Sequence, residues 1–347
     1  IGVDLQGNLT AQAAAAVRHA LNSAAAPDNQ SGTSALGGIA LRCLQRFRGD
    51  SHTSRFRQGG KGGADDRLQR SIGLQPAPGD AADLGVFPVE AFSDVLTANA
   101  EYVKAFDGVI AQHAQDPRLT EGAQMNEGAL SGILGLRGWP AVAEESIIAR
   151  DVLLAEHVGS RVHICHLSTS GSVDIVRWAK ARGIDVSAEV TPHHLILTEE
   201  LARTYDPLFK VNPPLRRAED VEAVRAGLAD GTIDVVATDH APHAREDKDC
   251  EWAAGAFGML GLETALSVVI ETMVFTGALD WRGVADRMSV RPARIARLAD
   301  QGRPLAVGEP ATLVVVDPDA TWQVDVDRSP SRSANSPWAP PKSASWK

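Results

Sequence analysis

Arg161-Val162-His163-Ile164-Cys165-His166, followed by a helical pattern over Val173–Lys180 and an apolar run at Asp185–Val190, decides how this chain folds. Two short β-type runs with an amphipathic helix between them make a βαβ unit, in which the strands lie parallel. The unit repeats on both sides. Upstream, Val109-Ile110-Ala111-Gln112-His113 reads as a strand and residues 144–158 as a helix, with Ile147, Ile148, Val152, Leu153 and Leu154 at helical spacing. Downstream, Val221–Leu228 reads as a helix and Ile233–Thr238 as a buried strand, before helices at Leu262–Phe275, Trp281–Met288 and Pro292–Leu298. Such alternation predicts an α/β fold with right-handed crossovers, here a (β/α)8 TIM-type barrel.

Composition agrees. Of 347 residues, 44% are hydrophobic and 22% charged, the balance of a chain that buries a core. No apolar run is long enough to span a bilayer, and the opening Ile1-Gly2-Val3-Asp4 has no signal-peptide character. Three cysteines at unrelated spacings suggest no disulfide framework, so a reducing cytoplasm is expected. The region from 41 to 90 breaks the alternation. Between Arg42 and Arg70 lie seven arginines and one lysine against three aspartates, with glycines throughout. An Arg/Gly tract can grip RNA, but the only aromatics here are Phe47 and Phe56 and the whole chain carries net charge −10. An irregular loop without nucleic-acid binding is the better expectation. The Ser- and Pro-rich residues 328–347 are expected to be a disordered tail.

Chemistry is expected where the strands end. His113, His166 and Asp239 each follow a predicted strand, and the carboxyl ends of barrel strands converge on one face. Two imidazoles and a carboxylate suit zinc or a similar divalent ion. Asp239 is the candidate general acid/base as well as a ligand. His243, behind Pro242, can donate to an anionic substrate. Asn212, ahead of Pro213-Pro214, offers an amide for recognising a ring amide or ureide. Phe257-Gly258 stands in a glycine-containing loop able to close over a ligand. His240 is read as supporting or structural, His163 as packing and His193-His194 as structural. Arg118 and Arg216 could bind a carboxylate or sit in ion pairs.

These runs together resemble a known family. Asp239-His240-Ala241-Pro242-His243 through Lys248, Asn212-Pro213-Pro214-Leu215-Arg216, His166 in Cys165-His166-Leu167-Ser168 and His113 in Gln112-His113-Ala114 are similar, in order and spacing, to bacterial class I dihydroorotases of the amidohydrolase superfamily. The resemblance implies an amidohydrolase barrel over residues 1–302 and a remnant of a small β-sandwich at 303–327. It implies reversible interconversion of dihydroorotate and N-carbamoyl-aspartate in pyrimidine synthesis. His113 and His166 would bind the second of two zinc ions, and Asp239 the first while acting as acid/base. Asn212, His243, Phe257 and Gly258 would hold the substrate. Asp94, in Phe92-Ser93-Asp94, would be the bridging-metal carboxylate, although it stands closer to His113 than the family spacing.

One departure matters. The family opens its barrel with His-x-His and a following arginine, and no His-x-His occurs in this sequence. Gln6, Asn8 and Thr10 take those places, and neutral amide oxygens are poor zinc ligands. The first metal site is therefore expected to be incomplete, with metal content and turnover reduced. The alternatives are a hydantoinase- or allantoinase-like hydrolase, and an inactive barrel kept as a structural partner of aspartate transcarbamoylase. The expected partners are accordingly a small-molecule substrate and either a second copy of the chain or that transcarbamoylase.

Overall fold

In a computed structural model, the structure describes residue 97, residues 99–304 and residues 306–338. The chain forms two units, Ile1–Gly108 and Val109–Lys347. Gln6, Asn8, Thr10, Asp94 and the irregular segment 41–90 lie outside the described residues. The described end of the first unit is helical to residue 105, and Gly108 N then donates to Val103 O at 3.0 Å.

The second unit carries the expected alternation. Its strands are β1 (Val109–Gln112), β2 (Met125–Asn126), β3 (Gly138–Trp139), β4 (Arg161–Ile164), β5 (Val186–Val190) and β6 (Val235–Val236). The helices between them are α1 (Ala129–Leu134), α2 (Val142–Val158), α3 (Ser170–Ala181) and α4 (Ala218–Asp230). β1, β4, β5 and β6 make one parallel sheet in that order, and β2 pairs with β3 in a small parallel pair of its own. Each strand of the main sheet lies beside the one before it, the progression of a β/α barrel wall.

Strand periodicity sorts the side chains onto two faces. Val162, Ile164, Val186, Ala188 and Val190 join Ile148, Val152, Val173, Val176, Val224 and Leu228 in one buried cluster, so this face meets the helices. The alternate positions His163, Ser187 and Glu189 hydrogen-bond to one another on the opposite face. Helix α3 begins where the Thr169 hydroxyl accepts from Ser172 N at 3.1 Å. Helix α2 ends at Gly159, whose φ of 67° suits glycine.

The amino ends of the strands are tied by ion pairs. Asp234, just before β6, accepts from Lys180 Nζ at 2.5 Å, Arg291 Nη1 at 2.9 Å and Ala188 N at 3.0 Å. Arg291 Nε and Arg287 Nη1 share Asp286 at 2.6 and 2.5 Å.

The C-terminal helices stand where expected, as α segments at Ala265–Val269, Trp281–Ala285 and Arg291–Ile295, the first two continued by π-helical stretches Ile270–Val274 and Asp286–Val290. Two expectations change. The described residues of 303–327 hold no strand, because none of them finds a ladder partner there, and Leu313, Val314 and Val315 are exposed. Residues 328–338 are not a disordered tail: Ser333, Asn335 and Ser336 are buried, and Trp338 packs on the main core. Their polar side chains find protein partners, which composition does not reveal. No helix among the described residues is long and apolar enough to cross a membrane.

Candidate metal and substrate site

The register of β1 with β4 pairs Gln112 with Ile164, so His113 and His166 emerge side by side at the strand ends. Their ring centroids are 4.4 Å apart at 76°, edge to face. Burial holds His166 below the ordinary imidazole range, against the opposing charges of Glu189 and Glu144, which leaves a neutral ring with a lone pair to offer. Asp239 lies three residues beyond β6. Its surface is open to solvent, yet the surrounding protein crowds its carboxyl up to about 6, with His113 pulling down and Glu189 pushing up. Both His166 and Asp239 have left-handed backbone, φ 33° and 44°. For non-glycine residues this costs roughly 1–3 kcal/mol each, and such strain clusters where side chains must be aimed.

The structure thus brings His113 and His166 together and puts Asp239 within electrostatic reach of His113. Among the described residues, however, no group of three His, Cys, Asp or Glu side chains is arranged to hold an ion. The two imidazoles are packed against each other instead of closing with Asp239 on one point. The donor chemistry nevertheless fits a divalent cation: an imidazole kept neutral by burial, and a carboxyl whose ionised form is disfavoured by its surroundings.

Glu189 is a site residue that the sequence reading missed. It accepts from His163 Nε2 at 3.0 Å and from the His166 backbone N at 3.3 Å. Burial pushes its carboxyl up, but the contacts with His163 and His166 outweigh this and hold it below its usual value. His163, expected as packing, is therefore a buried polar link that also meets Ser187 Oγ at 2.8 Å. The available signal was alternation: Ser187 and Glu189 interrupt an otherwise apolar strand at a period of two.

The expected substrate residues lie on loops that hold one another. His243 Nε2 faces the Phe257 carbonyl at 2.8 Å, and since a carbonyl only accepts, Nε2 carries the proton. That donor joins two loops. Gly258 N donates to Lys210 O at 2.9 Å, so this backbone group is also engaged within the protein. Gly258 has φ 126°, and a Cβ there would come within 2.6 Å of Ala241 Cβ and 2.9 Å of His243 Nε2. Lys248 Nζ donates to the carbonyls of Pro207, Lys210 and Ala256, and burial, with Lys210 adding, lowers its ammonium to about 8. His240 Nδ1 accepts from Gly261 N and Leu262 N, both at 3.2 Å, which agrees with a supporting part.

Asn212 Nδ2 donates to Gln115 Oε1 at 3.1 Å, while Asn212 Oδ1 is buried without a hydrogen-bond partner. His194 fixes the same loop from below: Nε2 donates to the carbonyls of Pro213 and Pro214 at 3.2 and 3.3 Å, and Nδ1 meets Thr191 Oγ1 at 2.7 Å. Burial, with smaller opposing and reinforcing charges, takes His194 down to about 4. Arg216 is resolved as a structural ion pair. It is fully buried, 3.5 Å from Glu144, and donates to Ser168 Oγ, Asn126 Oδ1 and Trp139 O at 3.0, 2.8 and 3.0 Å. Arg118 is exposed.

A strap from the C-terminal segment was also missed. Ser333 Oγ donates to His243 O at 2.6 Å. Asn335 Nδ2 donates to Ala241 O at 2.9 Å and Gly258 O at 3.3 Å, its Oδ1 accepts from His243 N at 3.3 Å, and its carbonyl accepts from Leu260 N at 3.0 Å. One asparagine thus fastens both loops that carry His243 and Gly258.

Residues 89–172 match the family model described as dihydro-orotase-like. The chain is 73% identical over 244 residues to a dihydroorotase of Streptomyces coelicolor, covering 70% of this chain and 57% of that one. It is 56% identical over 263 residues to a dihydroorotase of Mycobacterium tuberculosis, covering 73% and 61%. The chain therefore spans a little over half the length of these relatives. Among solved structures, an L-hydantoinase (dihydropyrimidinase) from Arthrobacter aurescens superposes with a TM-score of 0.60 at 27% identity, over 72% of this chain and 56% of that one. A D-hydantoinase from Thermus sp. gives 0.63 at 21% identity, over 86% and 69%. The fold is α/β, similar to that of these two solved structures.

Proposed function

We propose, for a chain whose residues 89–172 match the dihydro-orotase-like family model, that the protein is a dihydroorotase of the amidohydrolase superfamily. It would interconvert dihydroorotate and N-carbamoyl-aspartate by opening and closing a cyclic amide, acting in a reducing cytoplasm where Cys165 and Cys250 stay free. The observation that carries the reading is the juxtaposed His113 and His166 with Asp239 in electrostatic reach of His113, in a chain of which 244 residues are 73% identical to a dihydroorotase.

His113, His166 and Asp239 would hold a divalent ion, zinc by donor type, with Asp94 a further ligand. Such an ion supplies Lewis acidity and lowers the pKa of water. The chain's own groups do the rest. Asp239, with a carboxyl near 6, is ionised at neutral pH and close enough to protonation to take a proton from water and return it to the departing ring nitrogen. Glu189 holds the His166 backbone and His163, so the pair of imidazoles keeps its aim. Asn212 Oδ1 accepts a ring N–H of the substrate. Phe257-Gly258, clamped by His243 and the strap, forms the wall of the pocket.

The purified chain, loaded with zinc, should open dihydroorotate and leave hydantoin untouched. Hydantoin turnover without dihydroorotate turnover would replace this reading with a hydantoinase. The second reading, an inactive barrel bound to aspartate transcarbamoylase, rests on Gln6 and Asn8 standing in place of His-x-His. Co-purification with a transcarbamoylase and no hydrolysis would decide for it.

A further inference from the structure

We infer that Gln115 is a positioning residue that fixes which end of the Asn212 carboxamide meets the ligand. The inference deepens the proposed function, on which it rests for the identity of the ligand. It follows from counting donors and acceptors along one chain of contacts. The Thr120 hydroxyl donates to Asp116 O at 2.8 Å, and a hydroxyl has one proton to give. Toward Gln115, Thr120 Oγ1 can then only accept, so the atom 2.8 Å away is the amide nitrogen Nε2. The other end of Gln115 is therefore its carbonyl, which only accepts. The Asn212 atom facing it at 3.1 Å must be Nδ2. Asn212 Oδ1 is left turned away, buried and without a hydrogen-bond partner among the described residues.

Side-chain amides ordinarily flip at little cost. Here the flip would set two carbonyl oxygens against each other, and Thr120, itself buried, cannot relieve the clash without giving up Asp116. The direction of one amide thus travels from a turn beyond β1 to the loop that His194 anchors from the other side. A buried acceptor with no partner selects a ligand that brings a donor, because an unmatched polar group costs binding. The site is consequently built for a ring N–H and against a ring carbonyl or an alkylated nitrogen at that point.

The test uses the full chain, the variants Gln115→Leu and Gln115→Glu, and three probes: dihydroorotate and its two ring-N-methyl derivatives. The native chain should bind dihydroorotate about tenfold or more tightly over one of the methylated forms, as expected for one unmatched buried hydrogen bond. Gln115→Leu should shrink this preference to within about twofold, and Gln115→Glu, which keeps an acceptor facing Asn212 Nδ2, should preserve it. A preference that survives Gln115→Leu overturns the inference. Asn212→Ala separates the two layers: if it leaves the preference intact, Asn212 does not touch the ring and the substrate assignment fails instead. A readout free of ligand stands beside these. Hydrogen exchange of the Asn212 Nδ2 protons, followed by NMR, should quicken about tenfold or more in Gln115→Leu, since the bond that protects them is gone. Unchanged exchange would overturn the inference whatever the chain binds.

Discussion

β6 carries one aspartate at each end, and the two live under opposite conditions. Asp234, before the strand, takes hydrogen bonds from Lys180, Arg291 and the backbone of Ala188. Asp239, beyond it, sits on left-handed backbone with its carboxyl crowded up to about 6. The contrast extends across the sheet. At the amino ends every acid in the Lys180–Asp234–Arg291–Asp286–Arg287 group has cations to share. At the carboxyl ends stand two imidazoles ring to ring, one of them the strained His166, and an amide oxygen without a partner among the described residues. A barrel can keep groups poised at one end only because the other end is closed by compensated charge.

Replacements at the two ends should separate activity from stability. Asp239→Asn should reduce dihydroorotate opening about 10²–10⁴-fold, the usual worth of a positioned acid/base, while leaving the urea midpoint unchanged or higher. Hydrolysis by the native chain should also rise as pH passes upward through about 6, when Asp239 ionises. A flat pH–rate profile would remove it from the proton transfer. Asp234→Ala should do the reverse, taking one acceptor each from Lys180, Arg291 and the Ala188 backbone, at a cost of roughly 1–3 kcal/mol in urea unfolding. Ligand binding at low temperature should survive it.

Acid should loosen the carboxyl end first. The folded-state pKa of His194, about 4, lies below its unfolded value of 6.5. The unfolded chain therefore binds the extra proton between those values, so stability is full above pH 6.5 and falls as pH drops toward 4. The loss approaches roughly 3 kcal/mol for a shift of this size, and His194→Gln should flatten that slope in unfolding measured across the window. The smallest effect belongs to the strap. Asn335→Asp removes the donors to Ala241 O and Gly258 O and should weaken dihydroorotate binding by about 1–2 kcal/mol. Faster backbone exchange confined to residues 241–260 would locate the effect, and exchange spread over the whole sheet would refute a local one.

How much of this could be read in advance depends on the range of the interaction. Strands β1, β4, β5 and β6 were legible because Val, Ile and Ala recur in short runs divided by helical patterns, and parallel pairing follows from that alternation, whereas β2 and β3, of two residues each, are too short to leave a pattern. His113, His166 and Asp239 were legible by position, since a strand end is visible in sequence. Glu189 was obscured because a strand buried on both faces is expected to be apolar throughout. Gln115, Ser333 and Asn335 gave no local sign at all. Their parts arise from partners 97, 90 and 77 residues away, and only the folded chain shows that a buried carbonyl awaits a donor there. His163 was misjudged for a similar reason, its partners being on the next strand. Arg216 was undecidable from its own neighbourhood, and Glu144 on α2 decided it.

The strap also orders events in time. Asn335 stands 77 residues beyond Gly258, and a ribosome releases the chain from its amino end. The sheet, its helices and both ligand loops are thus made before the residue that fastens them. A nascent chain can settle its scaffold early, but its recognition face is completed only once a segment 77 residues further on has left the tunnel.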